Sequence, residues 1–393
     1  MPHGRLDVAH DVAVLPDLSE IPAHSFPRFE PGQHTRSAGP PLRFRRADRD
    51  TPDRPSRGRR AGTRLRLAET PGSAASSSQR PAAPLRHSDP PGFPPIARRS
   101  KSGTPGGRVM STPTALRVPP SELELAAFER DGAIVLRDVI DASWIATMRQ
   151  AIDAVLEAPG PLSREYTKPG HPGRYLGDFF LWRRNPDFRS FMADSSLPEL
   201  AARLMKSTEV FFFYDQLLVK EPGTAEETPL HHDLTYWPLR GSQIVSIWVP
   251  FDPATPETGA VTYVRGSHRW GRMFTPAAFG EGAGYADTYA RTGLEPVPDL
   301  ETEIDPADHL AWSLEPGDVL VHHPLTLHFA RGTASSDIRR RGLALRYVGD
   351  DATYDDRPGT FLKSPHMQGK LPGLGLKDGD PLRGALFPRV WPR

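Results

Sequence analysis

The chain contains no cysteine. That excludes disulfide bridges and thiolate metal ligands, removes one source of self-oxidation, and fits a cytoplasmic setting. No apolar run is long enough for a signal peptide or a membrane span, so no membrane partner is expected. No internal repeat is apparent. Tryptophan and tyrosine are both missing from residues 1–109, which instead carry 17 prolines and 19 Lys+Arg against 10 Asp+Glu, a net charge of +9. Such a segment buries too little apolar surface to offset the entropy of ordering, and is expected to be disordered.

The remainder, residues 110–393, holds 30 basic and 38 acidic residues, a net of −8, and is expected to form one folded domain. The excess positive charge is therefore confined to the tail. Phosphate contact needs a concentrated basic surface, so nucleic-acid binding by the folded part is not expected. Three readings of the tail stay open: an extension upstream of a true start at Met110, an interaction arm, or a targeting segment. Met110 stands shortly before the first helix, which favours the first, and scattered acids and dense prolines fit poorly with an amphipathic transit peptide.

What the folded part does contain is the triplet His231-His232-Asp233, followed 95 positions later by His328 and then by Arg339-Arg340-Arg341. Two imidazoles and one carboxylate are the minimal set that holds a ferrous ion by one face and leaves positions open for oxygen and an organic co-substrate. On an extended strand residues i and i+2 project to the same side, so His231 and Asp233 can reach one ion, with the third ligand coming from elsewhere. Pro229 biases Thr228 away from helix, in keeping with a strand end. Taken alone the triplet is weak, because 14 histidines give about one His-x-Asp by chance. His87-Ser88-Asp89 has the same form, but sits among prolines with no strand pattern around it.

The surroundings of the second triplet read as consecutive strands. Residues 210–220 and 244–250 are rich in aromatic and β-branched residues, and residues 259–264, 319–328 and 342–348 continue the pattern. Ser121-Glu122-Leu123-Glu124 is a capping box opening a helix that Gly132 ends. Residues 133–136 form a strand, and Asp141 caps a second helix in which Ile145, Met148, Ile152 and Val155 recur at helical spacing. The helices are expected on the outside of the larger sheet, residues 274–308 as a lid or substrate loop, and the Gly/Pro-rich end after Tyr354 over the mouth. Short strands with long connections and two distant ligand sets fit a mainly β fold with flanking helices, a double-stranded β-helix of the jelly-roll or cupin-like kind.

Three stretches then carry a family resemblance: residues 228–238 with the triplet, Glu257-Thr258-Gly259-Ala260-Val261 with Gly266-Ser267-His268-Arg269, and residues 322–328. Together they resemble the phytanoyl-CoA dioxygenase family of iron(II)- and 2-oxoglutarate-dependent oxygenases, over about residues 123–348. The resemblance implies that His231, Asp233 and His328 ligate iron. It implies too that an arginine shortly after His328 grips the distal carboxylate of 2-oxoglutarate, with succinate and carbon dioxide as co-products. Matching the last strand favours Arg340, with Arg339 the alternative, since neighbours on a strand cannot both face inward. Arginine suits the task because a planar guanidinium binds a carboxylate through two parallel hydrogen bonds.

Gln216, Lys220 and Trp248 are further candidates to flank the co-substrate, weighed against core packing for the tryptophan and a solvated strand end for the lysine. Tyr236 and Trp237 are candidates for substrate contact. His232 should point away from its neighbours, His322 shares the parity of His328 unless Pro324 breaks the strand, and His268 and His323 read as structural. Halogenating relatives lack the carboxylate, so Asp233 favours hydroxylation or a related oxidation of a small-molecule substrate, which the sequence does not name. Another metal-dependent enzyme on the same barrel, or a silent ligand-binding relative, are the competing readings. Nothing in the sequence bears on oligomeric state.

Overall fold

The computed structural model describes residues 114–276, 294–333, 337 and 339–393. All lie within one unit, Ser88–Arg393. The tail, its expected disorder and the His87-Ser88-Asp89 triplet fall outside the described residues, as do residues 277–293 of the expected lid. No helix among the described residues is long and apolar enough to cross a membrane.

Helix α1 (Glu122–Asp131) opens on the capping box: the Ser121 amide donates to Glu124 Oε2 at 2.7 Å and the Glu124 amide to Ser121 Oγ at 3.3 Å. Gly132 ends it in the left-handed region at φ 80°, where a Cβ would fall 2.3 Å from His268 Nδ1, so only glycine fits. Strand β1 (Ala133–Leu136) follows, then α2 (Ala142–Glu157). Asp141 does occupy the N-cap of α2, but its side chain makes no capping hydrogen bond and pairs with Arg117 instead. Next come β2 (Arg164–Glu165), β3 (Tyr175–Phe179), α3 (Pro186–Asp194) and α4 (Leu197–Met205). The rest is β4 (Val210–Lys220), β5 (Thr228–His231), β6 (Leu239–Arg240), β7 (Ile244–Pro250), β8 (Thr262–Val264), β9 (His309–Leu310), β10 (Val319–His322), β11 (His328–Ala330), β12 (Arg340–Val348), β13 (Thr353–Tyr354) and β14 (Arg389–Trp391).

The larger sheet runs β1-β10-β7-β12-β4-β3-β2 with β14 beside β4, and the smaller runs β5-β11-β8-β9; β13 pairs with β6. Every pairing is antiparallel, in keeping with the expected jelly roll. Alternation gives each strand of the large sheet two faces. Leu217, Val219, Val245, Ile247, Val249, Leu343, Leu345 and Tyr347 share the main core with Met148, Ile152, Phe191 and Leu200 of the helices, which therefore cover the outer face. Each such fully buried side chain contributes roughly 1.5–3 kcal/mol. The opposite face turns Tyr214, Gln216, Trp248, His322, Arg340 and Arg346 into a cavity between the sheets.

Three features of the strands matter for the site. Pro324 breaks the β pattern of 319–328, the alternative the sequence left open: β10 stays in the large sheet and β11 joins the small one. Proline cannot donate to a ladder, and the change of sheet carries the chain across the cavity. In β4, Arg346 faces Tyr214 while Tyr347 faces Phe212, so Phe213 is a one-residue bulge. The bulge resets the alternation, letting Phe212 pack outward against Tyr347 while Tyr214 and Gln216 face inward. Residues 259–261 lead into β8 rather than forming part of it, with Gly259 at φ 86° closing a short turn.

Candidate active site

Backbone pairing, not proximity in sequence, assembles the centre. His231 at the end of β5 and His328 at the start of β11 are direct cross-strand partners, and their ring centroids lie 4.2 Å apart. His232 keeps the chain extended (φ −123°, ψ 149°), so Asp233 projects to the same side as His231. The ligating atoms of His231, Asp233 and His328 lie within 4.8 Å of one another, and all three residues are buried.

Hydrogen bonds to carbonyls set the tautomers of the two histidines. His231 Nδ1 lies 2.8 Å from Pro229 O and His328 Nδ1 lies 2.9 Å from Thr326 O. A carbonyl only accepts, so each Nδ1 carries a proton, and in the neutral form that ligates a metal each Nε2 keeps a lone pair. Those lone pairs face Asp233 Oδ1 at 3.6 Å and 3.9 Å. Three acceptors turned on one another repel unless a cation sits among them, and two neutral imidazoles with one carboxylate suit a divalent transition metal such as iron. Burial opposes ionisation of Asp233, yet the hydrogen bond from His322 and the Arg346 guanidinium help to hold its carboxyl well below the usual range. Burial lowers His328 well below its ordinary value, which keeps the imidazole neutral and ready to ligate.

The cavity, counted with the solvent at its opening, has about 1100 Å³ of empty space, and among the described residues that line it, which include Arg164, Arg340 and Arg346, Asp233 is the one carboxylate. Arg340 is 2% exposed. One Nη donates to Leu218 O at 3.3 Å, Nε has no partner, and no described carboxylate pairs with the group. Tyr175 is within hydrogen-bond reach of Arg340, and its hydroxyl lies 3.2 Å from Thr228 Oγ1. Gly259 leaves the space before the guanidinium open: a Cβ there would stand 3.5 Å from Arg340 Nε. A buried, incompletely partnered guanidinium beside two hydroxyls is a seat for a carboxylate. Trp248 lines the same end, pressed on Gly342, with its Nε1 unpartnered.

Arg339 and Arg340 fall on opposite sides of β12. Arg339 is at the surface, bonded to Glu221 Oε2 at 2.8 Å and to Asp153. Lys220, the cross-strand partner of Arg340, is fully buried but does not line the cavity; its Nζ donates to Arg331 O at 2.7 Å over the Tyr175 ring. Burial, with Arg340 nearby, lowers Lys220 to about 6, against the pull of Glu227 and Glu226. In the unfolded chain the same amine titrates near its ordinary value, so between about pH 6 and 10 the unfolded state binds the extra proton. Stability from this position is therefore gained as pH rises through that window and lost as it falls. Lys220→Met is expected to flatten the rise of the denaturant midpoint between pH 6 and 9.5, and equal slopes in the two proteins would count against the buried amine.

Gln216 lines the cavity and accepts from Arg346 Nη2 at 3.0 Å. Tyr236 lines it edge-on to His231, with ring centroids 5.8 Å apart. Trp237 also reaches the cavity, but it is 1% exposed and its indole donates to Tyr214 OH at 2.8 Å, so packing claims most of it. His232 turns away, as alternation requires, and accepts the Phe274 amide at 3.1 Å. The rings of His268 and His323 lie 5.3 Å apart and tilted, and neither lines the cavity. Phe361, His366 and Met367, from the chain after Tyr354, line the cavity.

Sequence reasoning passed over Arg346, Tyr175, Tyr214 and Tyr263. Arg346 is 4% exposed, its guanidinium lies over the Tyr214 ring at 4.6 Å, and Nη2 is 3.8 Å from Asp233 Oδ2. The signal was present: it stands six residues after Arg340, at even spacing, and so on the same face of β12.

The family model described as phytanoyl-CoA dioxygenase matches residues 128–341. The ectoine dioxygenase of Sphingopyxis alaskensis is 28% identical over 157 residues, 38% of this chain and 51% of that protein. The multifunctional dioxygenase prhA of Penicillium brasilianum is 25% identical over 235 residues, 57% of this chain and 70% of that one. The chain thus spans about half the length of the first of these and more of the second. Among solved structures, the non-heme alpha ketoglutarate dependent carbocyclase SnoK from nogalamycin biosynthesis superposes with a TM-score of 0.53 at 24% identity. That match covers 70% of this chain and 99% of SnoK, and shows a shared fold.

Proposed function

Since the chain belongs to the phytanoyl-CoA dioxygenase family, we propose that it is an iron(II)- and 2-oxoglutarate-dependent oxygenase acting on a small molecule. The observation that carries this reading is the convergence of His231, Asp233 and His328 ligand atoms on one point where a divalent cation would satisfy all three. Arg340, with Tyr175 and Thr228, would take the distal carboxylate of the co-substrate, and Trp248 and Gln216 would flank it. Iron(II) held there supplies oxidation in which substrate C–H, oxygen and 2-oxoglutarate give substrate C–OH, succinate and carbon dioxide.

The residues of this chain do the rest. Arg340 binds one end of the co-substrate through directed hydrogen bonds, fixing which end reaches the metal. Trp248, Leu218 and Val261 wall the site with apolar surface, which limits water and strengthens each charged contact within it. Tyr236, Phe179, Phe361 and Met367 line the rest of the cavity and would orient the primary substrate, with Trp237 behind them. The cysteine-free composition suits a cytoplasmic setting.

The test is succinate formation by the full-length chain supplied anaerobically with iron(II), then with 2-oxoglutarate, ascorbate and oxygen. Iron- and oxygen-dependent succinate, even without primary substrate, is the expected result. A hydrolase on the same barrel would give none, and a protein that binds iron(II) but shows no calorimetric signal for 2-oxoglutarate would refute the reading.

A further inference from the structure

Asp233 offers its two oxygens to different neighbours. Oδ1 faces the Nε2 atoms of His231 and His328, whereas Oδ2 lies 3.2 Å from His322 Nε2 and 3.8 Å from Arg346 Nη2. Neither His322 nor Arg346 belongs to the metal-facing triad, and both are at least nine-tenths buried.

The proton positions follow by elimination. An ionised carboxylate only accepts, so His322 Nε2 carries a proton and donates to Oδ2. A neutral imidazole then has its lone pair on Nδ1, which lies 3.2 Å from Tyr263 OH, and the phenol must donate to it. Tyr263 is fully buried and is the cross-strand partner of His328, so the relay is anchored to the strand that presents the third ligand. Arg346 is held independently by Gln216 Oε1 at 3.0 Å and Ala344 O at 3.3 Å, flat against Tyr214. One hydrogen-bond donor on β10, His322, and one guanidinium charge on β12, Arg346, both on the large sheet, thus hold a carboxylate that sits after a strand of the small sheet.

We infer that His322, oriented by the Tyr263 hydroxyl and hydrogen-bonded to Asp233 Oδ2, and Arg346, acting on the same oxygen through its charge, are positioning residues that leave only Oδ1 for the metal. The inference rests on the metal-site reading above. A carboxylate free to turn would offer both oxygens to the ion and occupy a position that oxygen or the co-substrate needs. Tying down Oδ2 keeps the ligand single-pointed and orients its lone pair before the metal arrives.

The test uses cobalt(II) as the probe on the full-length chain, with calorimetric affinity and visible absorption as readouts and thermal unfolding of the metal-free proteins as the folding control. His322→Leu is expected to weaken cobalt binding by about 10- to 100-fold and to change the absorption bands. Tyr263→Phe should act in the same direction, and more weakly. His322→Gln should recover part of the affinity, since its amide donates to Oδ2 without help from the phenol. Adding Tyr263→Phe to His322→Gln should then cost nothing further, a coupling that a merely structural role would not produce. If His322→Leu does not fold, the Gln and Phe variants decide the matter. Wild-type affinity and spectrum in both would overturn the inference and leave the metal site standing, whereas no cobalt binding by the wild type would overturn both.

Discussion

Asp233→Ala is expected to lose bound iron and iron-dependent 2-oxoglutarate turnover together. Oδ1 is the atom on which both imidazole lone pairs converge, so its removal leaves two neutral donors and an ion of full charge. Losing a contribution of several kcal/mol from metal chemistry corresponds to a fall in turnover of roughly a thousandfold or more. The same deletion strips His322 of its acceptor and leaves the Arg346 guanidinium buried with only the Gln216 and Ala344 oxygens. An uncompensated buried charge is destabilising, so the alanine variant should also unfold at a lower temperature. Asp233→Asn separates the two effects, because its amide oxygen still accepts at Oδ2 while the charge on the metal side is gone. Iron content measured on the folded asparagine variant is the deciding quantity. Stoichiometric iron with undiminished succinate formation in that variant would remove Asp233 from the metal site.

The triplet was legible because its geometry is local: an extended His232 puts its neighbours on one side whatever the rest of the fold does. The pairing of His231 with His328 was not, since it depends on ladder register between β5 and β11, which periodicity does not encode. The long apolar strands β4, β7 and β12 were read with good bounds, although β12 begins two residues earlier, at Arg340. That small difference matters, because alternation from Arg340 determines that Arg339 is bonded to surface acids while Arg340 and Arg346 share the cavity. Arg346 escaped notice because an arginine flanked by leucine, tyrosine and valine breaks the apolar pattern without forming any motif of its own. Strand β3 was missed since Tyr175-Leu176-Gly177-Asp178-Phe179 includes two poor strand formers. Helices α3 and α4 were missed for a different reason: at nine residues each they owe their stability to packing rather than to propensity.

Arg340→Leu should do two opposite things, and the contrast is informative about why the residue is there. In the absence of ligand the guanidinium is buried against Trp248 and Tyr175 with an unpartnered Nε, no paired carboxylate among the described residues, and Lys220 as its cross-strand neighbour. Two basic groups so placed cost stability, and burial accordingly lowers both from their ordinary values. Exchanging one for an apolar group of similar reach should raise the unfolding temperature of the ligand-free protein by a few degrees. The loss appears on binding. Two charged hydrogen bonds to a carboxylate contribute roughly 3–5 kcal/mol, so affinity for 2-oxoglutarate should fall by roughly a hundred- to a thousandfold. Arg340→Lys should recover little of this, because an ammonium lacks the planar pair of donors. Arg339→Ala, which touches only Glu221 and Asp153 at the surface, should bind as the wild type does. Calorimetry with 2-oxoglutarate on the iron(II)-loaded proteins, paired with melting curves of the ligand-free ones, reads both halves. A leucine variant that binds 2-oxoglutarate normally would move the carboxylate seat away from Arg340. One that binds poorly without gaining stability would mean that the cation is compensated in the free protein by something other than the contacts described above.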